Sequence, residues 1–374
     1  MRIRKERLAL IFPLVIAALL LGGCGDGNSG DEPPDATLPQ LEDGWNIIYP
    51  GGDTVCSRGT EYAYMVHPGT VNKLVIDFMG GGACWNNLTC SVAGSIFNEA
   101  VDPDELLSMA ANGIYDRANP DNPFKDWYHV FIPYCTGDVH WGNNVVTYGS
   151  APNEFTINHK GATNAGAVMN WVYENFGNPE TIFITGCSAG AYGSIGWTPH
   201  IMDHYRHSKI YQMGDSGAGI ITDTFFQQSF PSWNALAFFP KFIPGLDPAK
   251  VDIYAHDLSY IYAQVGQYFS QHTVSQYNSA FDENQTFYFT AMGGQGGQAE
   301  WSQRMFAITD EANQQTPNYY SYIAPGQVHC IIPYDGFYTV ESGGVRLRDW
   351  VNDLVNGRTV SDVSCGTACG SPGS

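Results

Sequence analysis

Thr181-Ile182-Phe183-Ile184-Thr185-Gly186-Cys187-Ser188-Ala189-Gly190 (TIFITGCSAG) decides the fold. Its first five residues are β-branched or aromatic and apolar enough for a strand buried on both faces. The next five fit G-x-S-x-G, and Ala189–His207 continues as a helix in which Pro199 predicts a kink or a restart. A serine on a strand-to-helix turn stands above the end of a sheet, and the flanking glycines relieve crowding there. Ser188 is therefore the candidate nucleophile; the plainer alternative is a glycine-rich turn without chemistry.

The same alternation extends outward on both sides. Asn72–Met79 (NKLVIDFM) reads as a buried strand running into Gly80-Gly81-Gly82, and Trp127–Tyr134 (WYHVFIPY) as a second. Ala165, Val168, Met169, Val172 and Phe176 keep helical spacing, which predicts a helix over His159–Phe176. Tyr211–Gly214, Thr273–Ala280 and Tyr319–Ala324 are further strands, and Val251–Phe269 and Val345–Val355 further helices. Strands alternating with helices give an α/β fold with a mostly parallel sheet flanked by helices.

Acyl transfer at Ser188 needs a base and an acid, which in this architecture follow the serine in the order acid, then histidine. His200, His204 and His207 lie too close to Ser188 on its own helix, and their spacing reads as a solvated helix face rather than a metal site. His256 and His272 are assigned to a helix and its end. His329 falls in a loop after a late strand, where the base belongs. Asp282 follows a strand and is the candidate acid; Asp257, Asp310 and Asp335 remain open. Gly214-Asp215-Ser216-Gly217 looks like a chymotrypsin-type nucleophile loop, but that chemistry belongs to an all-β fold whose His and Asp precede the Ser. These residues are expected to shape the loop after the next strand.

Composition narrows the function further. The chain has 374 residues, of which 44% are hydrophobic, so it can bury a large core. Its formal charge of −20 argues against nucleic acid and anionic lipid surfaces as main partners. At the N-terminus, Arg2, Arg4, Lys5 and Arg7 precede an apolar run from Leu8 to Leu21 and then Gly22-Gly23-Cys24. That run is short for a membrane span and fits a signal peptide. Leu21-Gly22-Gly23-Cys24 is similar to a bacterial lipobox, which makes Cys24 the lipidated residue and the only membrane contact. The expected organisation is a lipoprotein signal peptide over 1–23, a flexible acidic tether over 24–42 and a single catalytic domain over 43–374. An exported protein with eight remaining cysteines favours disulfides, and no zinc-type C-x-x-C pair occurs.

Four segments together carry a family resemblance: Gly80–Cys84 (GGGAC) with Cys90; Pro133–Asp138 (PYCTGD); Gly186–Gly190 (GCSAG); and Ala280–Gln285 (AFDENQ) with His329-Cys330. From about Cys56 to Leu354 the chain resembles the pectin acetylesterase/Notum family of carboxylesterases. The resemblance implies an α/β-hydrolase fold with loop and helical insertions, and Ser188, Asp282 and His329 as a triad without metal or cofactor. The N–H groups of Gly82, Ala83 and Ala189 would hold the oxyanion, although Ala83 stands where the family usually has Trp. The resemblance also implies the disulfides Cys56–Cys135 and Cys84–Cys90. Cys187–Cys330 follows from their adjacency to the proposed nucleophile and base, and Cys365–Cys369 from proximity in sequence.

The leading expectation is an exported esterase that removes short acyl groups, acetyl above all, from polysaccharide, with Trp85, Trp141 and Trp197 as exposed stacking surfaces for sugar. Two alternatives stand beside it: an esterase for lipid, aryl or polyester substrates, and a non-catalytic surface binding lipoprotein on a hydrolase scaffold. Oligomeric state is not legible in the sequence.

Overall fold

The computed structural model describes residues 38–92 and 94–373. The signal peptide, Cys24 and most of the tether lie outside the described residues. Nine strands form the central sheet: β1 (Asn46–Ile48), β2 (Tyr64–His67), β3 (Lys73–Phe78), β4 (Tyr128–Ile132), β7 (Thr181–Cys187), β8 (Lys209–Asp215), β9 (Thr273–Ser279), β10 (Tyr319–Ala324) and β13 (Val363–Ser364). Two hairpins, β5 (Asn144–Tyr148) with β6 (Phe155–His159) and β11 (Glu341–Ser342) with β12 (Val345–Arg346), stand apart from it.

The order across the sheet is β1-β2-β4-β3-β7-β8-β9-β10-β13. β1–β2 and β2–β4 pair antiparallel, and every pair from β4–β3 onward is parallel. Alternate residues of the inner strands enter two different cores. Leu74, Ile76 and Phe78 of β3 and Ile182 and Ile184 of β7 pack into one cluster, while Val75 and Phe183 pack into the other. A parallel sheet covered on both faces requires such runs, which is why its strands read as continuous apolar segments. This is an α/β-hydrolase architecture.

Two short helices, α1 (Asn87–Ser91) and α2 (Pro103–Leu107), precede those that bear on the site: α3 (Gly161–Asn175), α4 (Ala189–His204), α5 (Asp223–Trp233), α6 (Leu258–Tyr268), α7 (Glu283–Ala291) and α8 (Gly297–Gln315). Three sequence expectations need correction. α4 runs through Pro199 without restarting, because the ring is buried among core neighbours on a helix already held along its length. α6 begins only at Leu258: Ile253–Ala255 is a 3₁₀ turn, and the Asp257 carboxylate caps the helix by accepting the Ser259 and Tyr260 N–H groups. The late helix starts at Leu347, because Val345 and Arg346 pair in the hairpin with Ser342 and Glu341.

Four disulfides cross-link the chain: Cys56–Cys135, Cys84–Cys90, Cys187–Cys330 and Cys365–Cys369. No described helix is long and apolar enough to cross a membrane.

Candidate active site

Ser188 occupies the turn between β7 and α4 with φ 57° and ψ −120°, a conformation few non-glycine residues adopt. Two bonds fix it: the Ser188 N–H donates to Asp215 O at 2.8 Å, and Ser188 O accepts from Ala191 N at 2.9 Å. The glycines two residues away on either side are there for space. A Cβ on Gly190 would lie 1.8 Å from Phe78 O, and one on Gly186 would lie 2.4 Å from Gly190 O. The G-x-S-x-G spacing thus records how closely α4 approaches the end of β3.

Asp282 follows β9 and caps α7. It is fully buried, and its Oδ1 accepts from the Gln285 N–H at 2.9 Å. The Gln285 side chain donates to Asp282 Oδ2 at 3.0 Å and to Asn278 Oδ1 at 3.1 Å, and its Oε1 accepts from Ala218 N at 2.8 Å. His329 Nδ1 lies 2.8 Å from Asp282 Oδ2 and 3.0 Å from Oδ1. A carboxylate only accepts, so Nδ1 carries the proton and Nε2 is left free to act as a base. Ser188 and His329 line the same cleft. The other acids are engaged differently: Asp257 lines the cleft but its carboxylate caps α6, Asp310 is inside α8, and Asp335 accepts the Gly113 N–H.

Gly82, Ala83 and Ala189 also line this cleft. Gly82 has φ 72°, and a Cβ there would meet Ile96 O at 2.0 Å, so glycine is required. The Tyr288 hydroxyl donates to Ile96 O beside this loop.

A model of pectinacetylesterase matches residues 49–323, nearly three quarters of the chain. The chain belongs to the pectinacetylesterase family. It is accordingly a carboxylic ester hydrolase. The matched span contains Ser188 and Asp282 and stops short of His329. Two crystal forms of the Wnt deacylase Notum from Drosophila share the fold, each at TM-score 0.59, with 15% and 16% identity over 85% of this chain and 96% of theirs. No curated protein matches.

Around its polar centre, the cleft of this pectinacetylesterase-family protein is almost wholly apolar. Ile220, Phe225, Phe226, Phe230, Leu258, Ile261 and Met292, from the segment after β8, α5, α6 and the end of α7, form its walls. The tryptophans expected as exposed sugar platforms are buried, at 3% exposure for Trp85, 5% for Trp141 and 9% for Trp197. Trp85 and Trp141 line the cleft, and Trp197 instead borders a separate groove, its Nε1 donating to His140 O. Large amphipathic rings find core partners more readily than a sequence reveals.

The expected solvated face holds for His204 and His207, which are exposed, and fails for His200. His200 is half-buried with Nε2 3.2 Å from Phe238 O, and His204 stacks on Tyr173 at 3.8 Å between ring centroids. His256 lies ahead of α6 rather than within it, stacked on Tyr260 at the cleft wall. Among the described residues, the groups with metal-like spacing are Cys84, Cys90 and His159, and Cys187, His329 and Cys330. Their sulfurs are all in disulfides and lack the thiolate charge a metal needs. Two residues that hold the site were not singled out for that role from sequence: Gln285, within a quoted family segment, and Asp215, within the motif set aside as a look-alike.

Proposed function

We propose that this protein is a serine carboxylesterase in which Ser188 attacks the ester carbonyl, His329 takes its proton, and Asp282 holds the imidazole tautomer and stabilises the imidazolium. The observation that carries this reading is the pairing of His329 Nδ1 with a buried, three-times-bonded carboxylate in the cleft that contains Ser188. The tetrahedral oxyanion forms beside Gly82, Ala83 and Ala189, whose N–H groups stabilise it. The alcohol departs with the proton from His329. Water, activated by the same base, then hydrolyses the acyl-enzyme.

The substrate favoured by the cleft is an ester with an apolar acyl or aryl group larger than acetyl. Its walls offer far more apolar surface than one methyl group covers, and burying each added methylene there contributes about 0.8 kcal/mol. The lipid, aryl or polyester alternative therefore gains over acetylated polysaccharide. The family description supports the latter as the second reading. Turnover of p-nitrophenyl esters from acetate to decanoate, compared with acetate release from acetylated pectin and xylan, separates them. Preference for the acetylated glycans would reverse the ranking.

The sequence of residues 1–42 supports export and anchoring through lipid on Cys24. Incorporation of labelled palmitate into the full chain, lost in Cys24→Ala, is the corresponding test.

A further inference from the structure

We propose that Asp215 and Ser216 are positioning residues of the esterase reaction, a two-residue clamp that holds the His329 loop against the Ser188 turn. The proposal rests on the reading of Ser188 and His329 as nucleophile and base. Asp215 ends β8 and is wholly buried. Its backbone carbonyl accepts the Ser188 N–H at 2.8 Å. Its carboxylate faces the other way: Oδ2 accepts the N–H groups of Ile331 at 2.8 Å and Ile332 at 3.0 Å. Oδ1 accepts the Ser216 hydroxyl at 3.0 Å, and Ser216 Oγ in turn accepts the Cys330 N–H at 2.9 Å. The three N–H groups that follow His329 therefore all end on the residue pair whose main chain holds the nucleophile.

Two features set this apart from ordinary loop capping. Ser216 and Cys330, which meet in the clamp, have φ 57° and 62°, left-handed conformations that persist only where surrounding bonds over-determine them. A buried carboxylate is also a costly way to satisfy backbone donors that a neutral acceptor could serve. Its charge has a second use, because it acts on His329 and favours the imidazolium formed during catalysis. The other ionisable groups facing it are Tyr277 of β9 and Tyr115, both held un-ionised by burial, so neither brings a competing charge. Burial pushes the Asp215 carboxyl up to about 6, so the charge is present at neutral pH.

The test uses the disulfide-intact enzyme with p-nitrophenyl butyrate, its active sites counted by fluorophosphonate titration. Asp215→Asn keeps the shape and removes the charge. We expect kcat per active site to fall about 10- to 100-fold, as for small misplacements of a catalytic group, with KM within about threefold. Ser216→Ala keeps the charge and removes only the link to Cys330, so kcat should fall by less, again with KM nearly unchanged. An Asp215→Asn enzyme with wild-type kcat, or one whose loss lies in KM alone, overturns the proposal. Should that variant not fold, an unchanged kcat in Ser216→Ala overturns it. Mapping the fluorophosphonate in the wild type separates the two levels: label elsewhere than Ser188 defeats the reading of the site, whereas label on Ser188 with an unaffected Asp215→Asn defeats only the clamp.

Discussion

Cys187 and Cys330 are joined with their Cα atoms 5.5 Å apart, and each is the chain neighbour of a proposed catalytic residue, Ser188 or His329. The bond ties the nucleophile turn to the base loop across a sequence separation of 143 residues. Closing a loop of that length contributes on the order of 5 kcal/mol in the chain-entropy model. Reduction, or the pair Cys187→Ala with Cys330→Ala, should lower melting temperature and turnover together. Retention of full activity in a variant of clearly lower melting temperature would separate the crosslink from catalysis.

Asp282 and Asp335 are both acids on the C-terminal side of Ser188, yet only Asp282 touches His329. Asp282→Asn should lower kcat by up to about 10⁴-fold with little change in KM, since the imidazole loses its tautomer control. Asp335→Asn should cost activity only through whatever stability its bond to Gly113 supplies. Equal kinetic losses in both would remove Asp282 from the triad.

The apolar walls predict a chain-length dependence. kcat/KM for p-nitrophenyl esters should rise about fourfold per methylene over the first few carbons, from the roughly 0.8 kcal/mol that each buried methylene contributes. The rise should stop once the cleft is filled. A maximum at acetate would show that the cleft does not hold the acyl chain.

Stability should fall in mild acid. Burial pushes His129, His140, His159 and His272 down to about 4. Between that value and the ordinary 6.5 the unfolded chain binds more protons than the folded one at these sites, so their contribution is lost as pH drops through the window. Asp138 and Asp215, pushed up to about 6 from 3.8, work in the opposite sense, because the folded protein binds the extra proton. Four histidines outweigh two aspartates of similar shift, so melting temperature should decline from pH 7 to pH 4.5. A rise over that interval would contradict this balance.

What was legible in the sequence is what is fixed locally. β7, the glycine turn and α4 follow from residues within the single stretch 181–204, and the inner parallel strands announce themselves because both faces are buried. The candidates Ser188, Asp282 and His329 follow from motif, strand end and chain order. The long-range ties were not legible as such: Gln285 accepts from Ala218, and Asp215 from Ile331 and Ile332, contacts that only the folded topology creates. The start of α6 was misplaced because Tyr254 and Ala255 continue an apolar run that the Asp257 cap interrupts. The β5–β6 hairpin is not evident from the sequence although Val146, Tyr148, Phe155 and Ile157 alternate with polar residues, because each strand is only five residues long and stands apart from the main sheet. Tryptophan burial was misjudged because single rings carry no periodicity.

The central claim is that Ser188 is the nucleophile, and covalent labelling tests it most directly. The wild-type protein should take up one fluorophosphonate per chain, mapped to the peptide containing Gly186–Gly190, with parallel loss of esterase activity. Ser188→Ala should remain folded and unlabelled and lose activity by well over a hundredfold. Labelling of Ser216 or another residue, or a Ser188→Ala variant retaining more than about one-hundredth of wild-type turnover, would contradict the account.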